Sequence, residues 1–185
     1  SLNAHFIFVG GSFVENGLTN IFVQKLKENT QIPIVLFPGD YSQLTIYADA
    51  LLFLSLLSGR NPEYLIEQQI KSVPFLKNST LEIIPTGYIL IDGGTQSSVL
   101  KVSKTTPISQ NDVNLAVATA VAGMYKGKQL IYLEAGSGAK IPVNPKIISE
   151  VKKTIKIPLI VGGGIYIFIR EKAQEQSIAT EKPLR

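Results

Sequence analysis

Short apolar segments that end at glycine recur along this chain, and helical patterns separate them. The segment 32–37 ends at Gly39, the segment 50–56 ends at Gly59, and the segment 157–161 ends at Gly162. Continuous apolar runs of this length are typical of strands covered on both faces, as in parallel sheets. A repeated order of strand, small-residue loop and helix indicates βαβ units. The sequence therefore predicts an α/β fold with a parallel sheet.

The strands show no clear reversal of direction, which favours a closed barrel over an open sheet. In a (β/α)8 barrel, the loops that follow the strands share one face, where active sites lie. The chain has 185 residues, fewer than the ~250 of a typical barrel, so a complete barrel is not expected. We expect residues 1–185 to form a single domain. We also expect its glycine loops at 10–11, 39, 93–94, 136–138 and 162–164 to converge.

Composition excludes several kinds of site. The chain has no cysteine and one histidine, His5, so disulfides, thiol nucleophiles and cysteine-ligated zinc are excluded. The net charge is +4, without a basic run interleaved with aromatics, and a nucleic-acid partner is not expected. The longest apolar run, 48–57, is about half the ~20 residues of a membrane helix, and no signal peptide opens the chain. These features predict a cytoplasmic protein.

Other segments give more local predictions. Thr19 is expected to cap a helix, and the segment 97–106 is expected to form a loop or side strand. The segment 166–169 is expected to be a strand, followed by a polar helical tail at 170–185. Asn61 precedes a proline and a glutamate, a typical helix start, and the apolar stripe of this helix is expected at Leu65, Ile66, Ile70 and Val73.

The strongest candidate for chemistry is Glu134, at the end of the apolar segment 129–134. A carboxylate that is half-buried at the end of a strand can have its pKa raised towards neutrality and act as a general base. A salt-bridged acid without a chemical role is an equally good interpretation of its position alone. The adjacent Gly136-Ser137-Gly138 favours a function, because glycines allow backbone N–H groups to face an anion.

Two further glycine loops are candidates for ligand binding. Gly163 and Gly164 lie in a loop that follows a late strand, where barrels usually bind phosphate. Either phosphate loop alone would be interpreted as a tight turn, but together they favour a phosphate site. Ser12, after the early strand, offers a hydroxyl that could meet Mg²⁺, although a simple turn is the more common explanation there. Asp40 and Asp92 also follow strands, where a cap or loop acid is the usual role.

Five segments together resemble the geranylgeranylglyceryl phosphate synthase family, whose fold is a modified TIM barrel. The resemblance covers residues 5–165, and it is the combination that is specific, since no single motif is. The segments are YLEAGSGA (132–139), IVGGGI (160–165), LFPGD (36–40), ADALLFLSLLSGRNPEYLI (48–66) and EIIPTGYILIDGG (82–94).

The resemblance implies a prenyltransferase of ether-lipid biosynthesis. Such an enzyme joins a polyprenyl diphosphate to the C3 hydroxyl of sn-glycerol 1-phosphate with Mg²⁺ and releases diphosphate. Geranylgeranyl diphosphate is the expected donor, although the sequence does not fix the length of the prenyl chain. The resemblance implies that Glu134 is the catalytic base, that Ser12 is associated with the metal, and that strands 33–37 and 50–57 flank a prenyl slot. The implied substrate-binding positions are Tyr132, Leu133, Ala135, Gly136, Ser137, Gly138, Gly163 and Gly164.

The chain departs from the family pattern at both ends. The family's first strand carries an aspartate that binds magnesium, and a late loop with Gly-Asn binds phosphate; neither has a counterpart in this sequence. The expected fold is therefore a modified TIM (β/α)8 barrel whose first strand and part of whose C-terminal region are missing from this chain. The resemblance also implies a homo-oligomer, and peripheral membrane contact is expected because the substrate and the product are lipids.

Two other functions stay open at the level of sequence. The same phosphate loops would suit an isomerase or synthase that acts on a phosphorylated sugar, or a barrel that binds a phosphorylated ligand without catalysis. The discriminating feature is the cavity. A prenyltransferase needs a long apolar groove beside the strands at 33–37 and 50–57, whereas a sugar-phosphate enzyme needs a compact polar pocket.

Overall fold

A computed structural model describes residues 4–15 and 17–165, and the strand and tail expected at 166–185 lie outside the described residues. The described chain forms one sheet of six strands that are all parallel and lie in sequence order. Sequential order and parallel pairing are the arrangement of a TIM barrel, and the six strands form part of one. The strands are β1 (Ile7–Val9), β2 (Ile34–Leu36), β3 (Ala50–Leu56), β4 (Glu82–Leu90), β5 (Leu130–Glu134) and β6 (Leu159–Gly162).

Within the described residues, five α-helices connect or flank the strands. Gly17 precedes the first with φ 84° and no side-chain cap, so Thr19 lies inside this helix and the predicted cap is wrong. No helix in the described ranges combines the length and the hydropathy that a membrane span requires. The helices are α1 (Leu18–Asn29), α2 (Gln68–Leu76, preceded by a π-helical turn Glu63–Glu67), α3 (Ser98–Ser103), α4 (Val113–Tyr125) and α5 (Pro145–Thr154).

Alternation along the strands divides the sheet into an inner and an outer face. The outer face of β4 and β5 packs against α4 and α5, and the outer face of β1 to β3 packs against α1. The inner face holds its own cluster of buried side chains, and it is this cluster that borders the site. Its buried members are Val35, Ala50, Leu52, Leu56, Tyr88, Leu90, Leu130 and Tyr132.

The sheet opens between β2 and β3. Their pairing ends at Leu36 and Leu51, whereas β3 continues to Leu56 alongside β4. The chain between β2 and β3 contains a short 3₁₀ turn but no α-helix. The side-chain amide of Gln69 donates a hydrogen bond to the carbonyl of Leu54, beyond the last pair that β2 forms with β3.

Two predictions near this opening are wrong. Ile66, Ile70 and Val73, expected as an apolar stripe, are exposed, and the buried residues of α2 are Gln69 and Ser72. The polar face of the helix turns inwards because Gln69 satisfies a backbone carbonyl of β3. The segment 97–106, expected as a loop or side strand, contains helix α3, and the hydroxyl of Ser97 caps it by accepting from the N–H of Leu100.

Candidate functional site

Glu134 is the last residue of β5, and its carboxylate faces the inside of the sheet. Its neighbour Leu133 belongs to the outer cluster, while Tyr132, two residues before Glu134, belongs to the inner one. Side chains two residues apart share a face of a strand. The side chain of Glu134 is buried, with 7% of its surface exposed, and it lines the main cavity.

The carboxylate has two hydrogen-bond donors and no cationic partner among the described contacts. Its Oε1 accepts from the N–H of Gly136 at 2.7 Å, and the hydroxyl of Tyr132 donates to the carboxylate. Burial raises the pKa of Glu134, because the charged form loses hydration, and the two donors offset part of this increase. A carboxylate of this kind can take a proton nearer neutral pH than an exposed one.

The tyrosine beneath Glu134 remains a phenol. Burial raises the pKa of Tyr132 to about 12, and the charge of Glu134 and the hydrogen bond between them act in the same direction. Tyr132 therefore donates to the carboxylate over the whole physiological range. The main chain of Gly162 passes beside this pair, so that a β carbon there would lie 3.0 Å from Oε2 of Glu134.

The two glycine turns predicted to bind phosphate lie against each other. A β carbon on Gly163 would come within 2.7 Å of the backbone nitrogen of Gly136. Gly136, Gly138 and Gly163 have φ values of 100°, 73° and 79°, a region that favours glycine. The turn after β5 and the turn after β6 are therefore at one end of the sheet, beside the carboxylate. Backbone amides in consecutive turns of this kind can form an anion-binding site.

A third glycine loop supports the turn after β5 from behind. A β carbon on Gly93 would lie 2.6 Å from the β carbon of Ala139, and one on Gly136 would lie 2.6 Å from the β carbon of Ser97. The N–H groups of Lys140 and Ile141 both donate to the carbonyl of Gly93. The loop at 93–94 thus fixes the shape of the turn after β5 and is not among the residues that line the cavity.

A cavity of about 800 Å³ extends from these turns to the opening between β2 and β3. One end has the carboxylate of Glu134 with Ser137, Gly138, Gly163 and Gly164. The other part is largely apolar, because it follows β3 along most of its length. Among the described residues that line the cavity, lysine occurs once, as Lys101 of α3. The apolar and aromatic lining includes Phe37, Leu51, Leu52, Phe53, Leu54, Leu56, Tyr64, Tyr88 and Val99.

Ser12 and Asp40 line the same cavity from facing loops. A β carbon on Gly39 would lie 2.8 Å from the carbonyl oxygen of Ser12, which shows how closely the loops pack. Asp40 Oδ1 accepts from the N–H and the hydroxyl of Ser42, at 2.7 and 2.6 Å, and so fixes the orientation of the carboxylate. The described residues contain no group of three His, Cys, Asp or Glu side chains that could hold a metal. Mg²⁺ in proteins is commonly bound by one or two carboxylates and takes its other ligands from phosphate and water. The carboxylate of Asp40 and the hydroxyl of Ser12 fit that pattern.

The predicted site residues divide into three groups. Glu134, Ser137, Gly138, Gly163, Gly164 and Ser12 line one cavity. Tyr132 and Gly136 border the site through their bonds to Glu134. The side chains of Leu133 and Ala135 instead belong to the outer cluster beneath α4 and α5. Sequence reasoning missed Lys101 and Gln69. For Lys101, the available signal was the spacing of Val99 and Val102, which suits a helix within 97–106.

The fold and the site define a class of protein, namely a partial TIM barrel with a buried acid beside two glycine turns. A sequence model of the PcrB family matches residues 3–181. The chain belongs to the PcrB family. The geranylgeranylglyceryl phosphate synthase of Zunongwangia profunda is 60% identical over 159 residues, which are 86% of this chain and 68% of that protein. The enzyme of the same name from Flavobacterium johnsoniae is 55% identical over 86% of this chain and 65% of that protein.

Solved structures agree with this assignment. Wild-type GGGPS from Thermoplasma volcanium superposes with a TM-score of 0.83 at 41% identity, over 88% of this chain and 65% of that one. The (S)-3-O-geranylgeranylglyceryl phosphate synthase from Thermoplasma acidophilum, in complex with its substrate sn-glycerol-1-phosphate, has a TM-score of 0.81 at 35% identity, over 88% and 66%. The chain thus spans about two thirds of the length of the relatives that it matches.

Proposed function

We propose that this protein is a prenyltransferase that forms an ether bond between a polyprenyl diphosphate and the C3 hydroxyl of sn-glycerol 1-phosphate. The observation that carries the proposal is the cavity, which joins a buried carboxylate and two glycine turns to a long apolar surface along β3. Relatives at 60% and 55% identity are named geranylgeranylglyceryl phosphate synthases, and we therefore favour geranylgeranyl diphosphate as the prenyl donor.

In this proposal, the two turns and Glu134 hold the acceptor. The backbone amides of Ser137 and Gly138 and those of Gly163 and Gly164 bind the phosphate of glycerol 1-phosphate, while the N–H of Gly136 is bonded to Glu134. This binding places the acceptor hydroxyl beside Glu134, which takes its proton as the ether bond forms. Holding the two reactants close together in the right orientation can lower the activation free energy by several kcal/mol. A general base increases the rate by a further ~10²–10⁴-fold.

The diphosphate group of the donor belongs near Ser12, Asp40 and Lys101. Ser12 and Asp40 are the residues that would hold Mg²⁺ there, and the bound ion would offset the negative charge on the leaving diphosphate. Lys101, on α3, is the lysine among the described lining residues of the cavity, and in this proposal its ammonium group contacts the same diphosphate. The prenyl chain would then lie along Leu52, Leu54 and Leu56.

The two alternatives from the sequence fit the cavity less well. An isomerase or synthase of phosphorylated sugars would require a compact polar pocket, and most of the lining along β3 is apolar. A barrel that only binds a phosphorylated ligand would not require a carboxylate with a raised pKa beside the phosphate turns. We also propose that the protein forms a homo-oligomer and acts in the cytoplasm, with peripheral contact to the membrane that holds its lipids.

The test is to incubate the protein with Mg²⁺, labelled sn-glycerol 1-phosphate and prenyl diphosphates of several chain lengths. We expect a labelled ether lipid and release of diphosphate, with less product from the enantiomer sn-glycerol 3-phosphate. Folded protein that binds glycerol 1-phosphate without forming product from any donor would favour the non-catalytic alternative. Turnover of a phosphorylated sugar in place of ether formation would favour the other.

A further inference from the structure

Three aromatic rings form a cluster on the inner face of the sheet, directly beneath Glu134. The centroids of Phe37 and Tyr132 are 4.9 Å apart, and the ring of Tyr88 lies 5.8 Å from Phe37 and 5.7 Å from Tyr132. Phe37 and Tyr88 line the same cavity as Glu134. The site that positions the acceptor hydroxyl is therefore bordered by two aromatic rings.

The strand register explains why these rings meet. Tyr88 pairs with Tyr132 and Leu90 pairs with Glu134, so both tyrosines lie two residues, about 7 Å, before the level of the carboxylate. Phe37 follows the last residue of β2 and extends the inner face across the opening between β2 and β3. In the proposed arrangement, a prenyl chain that lies along β3 would have its reactive end near these rings, since Phe37 and Tyr88 line the same cavity as Glu134.

We propose that Phe37 and Tyr88 stabilise the positive charge that develops on the allylic carbons of the prenyl donor. This inference rests on the proposed function. The bond between C1 and the diphosphate oxygen breaks, and its electron pair leaves with the diphosphate. The C3 oxygen of glycerol 1-phosphate forms the new bond to C1, and its proton moves to Glu134. Between these events the allylic carbons carry positive charge, which the negative faces of the aromatic rings attract.

Two features make rings better suited to this task than another carboxylate. Burial raises the pKa of Tyr88 well above its ordinary value, so it stays a neutral phenol that cannot capture the cation through a phenolate oxygen. The cavity is also lined by apolar groups on this side, and cation–π attraction is stronger where the cation is desolvated.

Fluorinated phenylalanines at position 37 test the proposal, because each added fluorine weakens the ring quadrupole while changing the shape of the ring little. The intact protein would carry mono-, di- or trifluorophenylalanine at this site, and the rate of ether formation would be measured in a single turnover. We expect the logarithm of the rate to fall steadily with fluorine number, to about tenfold below the unmodified protein. Binding of glycerol 1-phosphate and the melting temperature should stay unchanged.

Phe22 is the matched control, since its ring lies on α1, is 54% exposed and does not line the cavity. The same fluorine series at Phe22 should leave the rate unchanged. An equal decline at both positions, or a flat series at position 37, would overturn the role of the rings. Absence of product from the unmodified protein would instead refute the proposed function. Should fluorinated proteins prove unstable, Tyr88→Phe and Tyr88→Leu give a second test: the first should keep most of the single-turnover rate and the second should lose about tenfold.

Discussion

The main chain of Gly163 runs directly against the carboxylate of Glu134, and the space between them cannot hold a β carbon. Gly163 also has φ 79°, which L-residues other than glycine rarely adopt. Gly163→Ala should therefore act in two ways. It should lower the free energy of unfolding by roughly 1–3 kcal/mol through backbone strain, and it should lower the rate of ether formation by displacing the carboxylate. Chemical denaturation and single-turnover kinetics measure the two effects separately.

Gly127→Ala is the control for this change. Gly127 has a similar φ of 82°, and a β carbon there would meet nothing within 4 Å. The control should lose a comparable amount of stability and keep its activity. Equal activity in the two variants would mean that contact between Gly163 and Glu134 has no role in positioning the acid.

Glu134→Gln should fold normally and lose ~10²–10⁴-fold of the rate, since the amide cannot accept the proton. Stability should change with pH in a defined direction. Burial raises the pKa of Glu134 in the folded state, so the wild type is stabilised by protonation at low pH. This stabilisation is complete below the unfolded-state pKa and is lost as pH rises through the folded-state pKa.

The glutamine side chain does not titrate. Glu134→Gln should therefore gain stability relative to the wild type as pH rises through that window, and melting curves across the acidic and neutral range would measure it. A stability difference that is constant with pH would contradict a raised pKa at this position, whatever the variant's activity.

The hydroxyl of Tyr132 should set where the acid limb of the pH–rate profile lies. Its hydrogen bond lowers the pKa of Glu134 against the larger effect of burial. Tyr132→Phe should therefore raise that pKa further and shift the acid limb of the rate to higher pH, with a smaller change in the plateau. Tyr125→Phe, at a side chain that is 81% exposed, should leave the limb in place. An unchanged acid limb in Tyr132→Phe would indicate that the hydroxyl of Tyr132 does not affect the pKa of Glu134.

The sequence carried most of the information about the fold, because parallel strands buried on both faces leave continuous apolar runs ending in glycine. It also led to Glu134 and the turns at 136–138 and 163–164, since backbone amides and a strand-end acid have a local signature. The proximity of Gly163 to Gly136, in contrast, has no local signature in the sequence. It depends on the pairing of β5 with β6, which local pattern does not specify.

Helix α2 illustrates why other predictions failed. The apolar positions Ile66, Ile70 and Val73 suggest a buried stripe by periodicity, but the helix covers an opening in the sheet where a backbone carbonyl needs a donor. Gln69 supplies this donor, and the polar face of α2 is therefore buried. The carbonyl of Leu54 needs this donor because the pairing of β2 with β3 ends before Leu54. The local sequence does not show where that pairing ends.

Lys101 should contribute to binding of the prenyl donor. In the proposed arrangement its ammonium group contacts the diphosphate, so Lys101→Gln should raise the KM for prenyl diphosphate several-fold and leave the KM for glycerol 1-phosphate unchanged. The effect should shrink at high salt, because exposed charges are screened. Lys126→Gln, at an exposed lysine after α4, should change neither value. Equal changes in both KM values for Lys101→Gln would place the lysine elsewhere.

Gln69 should stabilise the wall of the cavity at the opening between β2 and β3. Gln69→Leu removes the donor for the carbonyl of Leu54, which is part-buried, and leaving such a carbonyl without a partner should cost roughly 1–3 kcal/mol. Urea denaturation should detect a loss in this range, whereas Gln24→Leu, on the exposed side of α1, should change stability by ~0.5 kcal/mol or less. Because the loss concerns the wall and not the chemistry, the pH–rate profile of Gln69→Leu should keep the wild-type acid limb. A shifted acid limb would mean that the loss of the Gln69 hydrogen bond at the opening also changes the pKa of Glu134.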